Sequence, residues 1–184
     1  NLIKTNSMKK RLLLTASVMM FAAHVFGQTQ VDLPIDFGNA NVNYDLVDFG
    51  GNTSMITTDP TDPNNMACMI DKSAGAQTWA GTTFGGTSGF ANPIPFATSS
   101  TVLTMRVYSP DSGIVIRLKA ENLSNPTQSV ETDAHTTIAN AWETLTFDFA
   151  NQATGTASIN FSYVYDKLSA FFNFGVDGAT AGQK

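Results

Sequence analysis

One cysteine and two histidines in 184 residues leave little material for metal or thiol chemistry. With Cys68 alone, no disulfide can close within the chain, and thiolate zinc sites and dithiol redox pairs are excluded. His24 and His135 are too few for a histidine-rich metal centre. Charge is scarce as well: Asp, Glu, Lys and Arg supply 14% of the residues, with a net of −5. A phosphate backbone would repel such a chain, which excludes nucleic acid as a partner. No stretch after Phe26 keeps a helical apolar period for three turns. What is present is 42% hydrophobic residues, 13 of them Phe, enough for one domain with a packed core and too much for a disordered chain.

The charge is also unevenly placed. Met8-Lys9-Lys10-Arg11 is a basic start, followed by an apolar run of 15 residues from Leu12 to Phe26 and by Val25-Phe26-Gly27 at the cleavage positions. This is the layout of a secretory signal peptide over 8–27, cut before Gln28. The run falls short of the roughly 20 residues that span a bilayer, so no membrane span is expected in the mature chain. Residues 1–7 precede the apparent start methionine and read as upstream read-through. From Gln28 onward, six basic residues face fifteen acidic ones, a net of −9. The working domain is therefore placed at 28–184, secreted or at the cell surface.

The exported part reads as strands throughout. Over 101–108, Leu103, Met105 and Val107 alternate with Thr104, Arg106 and Tyr108. Over 113–120, Ile114, Ile116 and Leu118 alternate with Val115, Arg117 and Lys119. Over 142–149, Leu145, Phe147 and Phe149 oppose Trp142, Thr144, Thr146 and Asp148. A period of two marks a strand with one buried face. The turn Ser109-Pro110-Asp111-Ser112-Gly113 suggests that the first two strands form a hairpin. Further strands fit 31–37, 42–49, 66–70, 77–84, 129–133 and 168–174. Short strands at this spacing predict an all-β antiparallel sandwich.

Four segments carry a resemblance. They are Leu33-Pro34-Ile35-Asp36-Phe37, Met105-Arg106-Val107-Tyr108-Ser109-Pro110, Ala141-Trp142-Glu143-Thr144-Leu145-Thr146-Phe147-Asp148-Phe149 and Phe171-Phe172-Asn173-Phe174-Gly175. In this order the chain resembles the secreted jelly-roll carbohydrate-binding modules of Bacteroidetes, close in type to the galactose-binding-like modules of polysaccharide-degrading enzymes. The resemblance implies a jelly-roll β-sandwich. It also implies a closing strand of the type Tyr-Tyr-Phe-Asp-Asp-Val, absent before Lys184, so the module reads as C-terminally truncated with an unpaired edge beside 31–37. Family members often hold a structural calcium. Here Gly38 and Asn39 follow Phe37, so the metal ligands stay unassigned.

Alternation puts Arg106, Tyr108, Arg117, Lys119, Trp142 and Thr144 opposite the apolar faces of their strands. If those strands share a sheet, they form one polar, aromatic platform. Rings pack on the apolar face of a pyranose while guanidinium groups donate to hydroxyls or carboxylates. The alternative is an ordinary solvated sheet face. Trp79, beside Ala80 and Gly81, is either a ligand ring or a core tryptophan capping the sandwich. Phe171 and Asn173 fall on the side opposite Phe172 and Phe174, where Asn173 would read sugar hydroxyls or serve as a sheet amide. The carbohydrate-binding candidates are thus Trp142, Tyr108, Arg106, Arg117, Trp79 and Asn173.

A catalytic reading finds less support. Glu131-Thr132-Asp133 sets two carboxylates on one strand face, but Thr136 stands where sandwich glycosidases of the pattern Glu-x-Asp-x-x-Glu carry a third. His135 has no nucleophile elbow to serve, and Cys68 reads as a buried small hydrophobe. The sequence reading is a non-catalytic carbohydrate-binding module whose partner is a polysaccharide and whose missing C-terminal continuation is a glycoside hydrolase. Its rival is a structural or adhesive surface sandwich without glycan binding.

Overall fold

The computed structural model describes residues 27–178, and all but Gly27 of the expected signal peptide lies outside them, as does 179–184. Eleven strands and no helix occur among the described residues. In chain order they are β1 (Thr29–Gln30), β2 (Val42–Asn43), β3 (Val47–Phe49), β4 (Asn52–Thr58), β5 (Met66–Lys72), β6 (Gly81–Phe84), β7 (Val102–Ser109), β8 (Val115–Asn122), β9 (Asn125–His135), β10 (Ala141–Asp148) and β11 (Lys167–Phe172). A five-stranded sheet takes the order β3-β6-β11-β8-β9, antiparallel throughout. β7 pairs with β10 and β4 with β5, both antiparallel, while β1 and β2 make a two-residue parallel contact. The fold is an all-β, antiparallel sandwich.

Alternation decides which side chains enter the core. Leu145 and Phe147 of β10 and Val107 of β7 are buried in one cluster with Ile116 and Leu118 of β8 and with Leu168 and Ala170 of β11. β5 adds Ile70, with Ile56 and Cys68 packed against it. Phe147 and Phe149 are fully buried, and each contributes roughly 1.5–3 kcal/mol of transfer free energy. Burial, and secondarily Asp48, pushes the Cys68 thiol up to about 12, which suits its packing role.

The expected hairpin of residues 101–108 with 113–120 does not form. β7 pairs with β10, while β8 lies between β11 and β9 in the other layer. Residues 110–114 therefore carry the chain from one layer to the other. Gly113, at φ +78, donates its N–H to the Thr136 carbonyl, and the Thr136 hydroxyl donates to the Asp111 carbonyl. Two adjacent amphipathic strands can bury their apolar faces across the core as well as edge to edge, and period two is blind to the difference.

Other strands also depart from the reading. Residues 31–37 are not a strand, although Val31 is buried and Leu33, Ile35 and Phe37 pack on the core. The edge expected beside them is therefore not a strand edge. Residues 42–49 break into β2 and β3 around Asp45, whose φ of 39 leaves the extended region. Residues 77–80 form a turn, so β6 begins only at Gly81. β4 escapes the sequence reading because its inward positions include Asn52, which donates to the Thr82 hydroxyl at 2.8 Å, and Ser54. Polar residues on both faces erase the alternation.

On the outer face of the five-stranded sheet, Glu121 accepts from Lys119 and Lys167, each at 2.6 Å. Burial works against the Glu121 charge, yet the two ammonium groups outweigh it and hold the carboxyl below its ordinary value. Because the folded-state pKa is depressed, this contribution is complete above about pH 4.5 and is lost as pH falls through the lowered value. Thermal unfolding followed from pH 7 to pH 2.5 should show a midpoint that falls below about pH 4.5. In Glu121→Gln that fall should be shallower, and equal slopes would show that the triad carries none of it.

Candidate functional site

The six candidates do not share one face. Arg106, Tyr108 and Trp142 stand together on the outer side of the β7–β10 pair, where Trp142 lies opposite Tyr108 and Thr144 opposite Arg106. The Arg106 guanidinium carbon sits 4.9 Å from the centre of the Trp142 ring. Tyr108 meets the same ring edge-on at 5.7 Å. Arg106 is exposed, the two rings are half-buried, and Thr104, Thr144 and Thr146 complete an exposed polar surround. A guanidinium over an indole at such a site is worth roughly 0.5–1 kcal/mol, enough to order the arginine without spending its donors.

The orientation of Trp142 comes from a loop 83 residues away. Its indole N–H donates to Asp59 Oδ1 at 3.0 Å and to Thr61 Oγ1 at 3.1 Å. Asp59 also accepts from the Thr61 amide, the Thr61 hydroxyl and the Asn65 amide group. Burial of Asp59 raises its pKa, but these four donors outweigh that and hold the carboxyl far below the usual carboxylate range. The turn 59–65 is legible in sequence. Its position beside Trp142 is not, because nothing local connects them.

Arg117 lies on the other layer. Its guanidinium donates twice to Asp133, at 2.7 and 2.8 Å, and once to Glu131 at 3.2 Å. The hydrogen bond to Asp133 is the largest cause holding its pKa above the ordinary arginine value. Arg117 also lies 3.8 Å over the Phe174 ring. Trp79 is 50% exposed and stacks on Phe49 at 6.2 Å, which places it outside the core. Asn173 has φ +48 and ends β11, so period two stops there. Phe174 consequently joins Phe171, at 5.8 Å, on the outer face rather than opposing it.

A buried ammonium braces this end of the molecule. Lys72 is 2% exposed, and its Nζ donates to the carbonyls of Thr78, Phe172 and Asn173 at 3.2, 3.3 and 2.9 Å. Burial lowers its pKa, and nearby Asp177 partly restores it. Lys72 thus fastens the turn before Trp79 to the turn after β11. The same two turns line an open cavity of about 260 Å³ with Gln77, Thr78 and Asp177.

Among the described residues, no group of three or more His, Cys, Asp and Glu side chains is gathered to hold a metal ion. No helix among them is long and apolar enough to cross a membrane.

The Asp59 bond predicts an optical consequence. With Trp79→Phe leaving Trp142 as the sole tryptophan, Asp59→Ala should shift the emission maximum and lower the thermal midpoint. Thr61→Val should do the same to a smaller extent. Unchanged emission in the Asp59 variant would show that the indole is oriented by something else.

Compared with known proteins, the chain matches no family model and no curated protein.

Proposed function

We propose that this chain is a non-catalytic carbohydrate-binding module of an exported protein, with jelly-roll connectivity, holding a polysaccharide near an attached glycoside hydrolase. The observation that carries the reading is the Arg106–Trp142–Tyr108 cluster. Two rings and an exposed guanidinium stand on a sheet face shared with the hydroxyls of Thr104, Thr144 and Thr146. Such a face offers apolar area to a sugar ring and donors to its hydroxyls or carboxylates. The indole arrives pre-oriented by Asp59 and Thr61, which lowers the ordering cost of binding. The state of Glu131 and Asp133 favours a non-catalytic role. Both are engaged by Arg117, and Thr136 stands where the third carboxylate of a sandwich glycosidase would be.

Removing a ring that stacks on sugar costs on the order of 1–3 kcal/mol, about five- to a hundredfold in affinity. Trp142→Ala should therefore weaken retention in polysaccharide affinity electrophoresis by that factor, with an unchanged far-ultraviolet circular dichroism spectrum. Arg106→Gln should weaken retention by an anionic polysaccharide more than by a neutral one. A folded Trp142→Ala that binds undiminished would remove this site. A wild-type chain that binds no polysaccharide would favour the structural or adhesive reading.

A further inference from the structure

Four aromatic rings lie outside the core in one row on the outer side of the five-stranded sheet. Trp79 stacks on Phe49 with planes 12° apart, Phe49 meets Phe171 edge-on at 5.4 Å, and Phe171 meets Phe174 edge-on at 5.8 Å. Arg117 closes the row over Phe174. None of the four rings belongs to the buried cluster or packs against it. The Phe49 ring lies close against the sheet for a specific reason. A Cβ at Gly81 would stand 2.8 Å from Cζ of Phe49 and 2.6 Å from the Ala170 carbonyl. Only glycine lets the Phe49 ring lie down on the sheet.

We infer that this row is a second glycan platform, taking an uncharged polysaccharide chain. The inference rests on the carbohydrate-binding reading but concerns a different layer from Trp142. Charge selects the ligand class. Arg117, Lys119 and Lys167 are paired with Asp133, Glu131 and Glu121, three cations against three anions, so the face offers no net attraction to a polyanion. Arg106, by contrast, makes no ion pair among the described residues and suits an acidic sugar. Rings left at a water-facing sheet surface, rimmed by ion-paired side chains, match the apolar faces and equatorial hydroxyls of a neutral pyranose chain. With one platform on each layer, a single molecule holds two chains at once. The function that follows is cross-linking of polysaccharide as well as retention on it.

The two tryptophans allow each platform to be read alone. Trp142→Phe leaves Trp79 as the only indole, and Trp79→Phe leaves Trp142. Acrylamide quenching of each full-length variant is measured with a neutral panel (hydroxyethyl cellulose, xylan, galactomannan, laminarin) and with polygalacturonate. At least one neutral polymer should reduce quenching of Trp79 about twofold or more, while polygalacturonate leaves it unchanged. Trp79→Ala should lose about tenfold in affinity for that polymer, and only the wild-type chain should raise the light scattering of that polymer mixed with polygalacturonate, by cross-linking the two. If Trp142 is protected and Trp79 is not, the second platform is wrong and the binding function stands. If no probe protects either indole, both fail. Protection of Trp79 that grows with protein concentration without any polysaccharide would assign the row to self-association and overturn the inference.

Discussion

The Arg106–Trp142–Tyr108 cluster and the outward place of Arg117 depend on the two-residue period of the long strands. In β10, the alternation that buries Leu145 and Phe147 must turn Trp142, Thr144 and Thr146 outward. β7 obeys the same rule with Val107 in and Arg106 and Tyr108 out, and antiparallel register sets Trp142 opposite Tyr108. A one-residue slip would exchange the core for the surface, so the buried phenylalanine fixes the register that builds the cluster. Core packing and site geometry are one constraint in this molecule.

The second determinant is the crossing of layers between β7 and β8. By sending β8 to the other sheet, the turn held to Thr136 divides the outward-facing residues between two surfaces. Arg106 stays with Trp142, while Arg117 joins Phe174, Asp133 and Glu131. The two arginines consequently have different chemistry. Arg106 lies over a ring and remains exposed, whereas Arg117 is neutralised by two carboxylates and serves to close a row of rings.

Much of this was legible in the sequence where apolar and polar residues alternate without interruption. β7, β8 and β10 fall within two residues of their expected positions, and Trp142 lies on the face opposite Phe147 as expected. Pairing partners were not legible, because alternation gives a face and not a neighbour. β4 was hidden by its inward Asn52 and Ser54, and 31–37 carries a strand-like pattern without pairing. Asn173 shows a third kind of loss: a single left-handed residue reverses the expected side of Phe174. Long-range polar contacts, such as Asp59 on Trp142 and Lys72 on the carbonyls of 172 and 173, leave no trace in local pattern at all.

The most direct test of a binding function divided between two outer faces is a map of amide and indole perturbations by nuclear magnetic resonance. The isotope-labelled chain would be titrated with the polysaccharide that retains it best. The account predicts perturbations gathered around Arg106, Tyr108 and Trp142 or around Trp79, Phe171 and Phe174, with core amides such as those of Ile116 and Phe147 unmoved. Perturbations confined to the exposed loop that carries Phe161, Tyr163 and Val164 would contradict it.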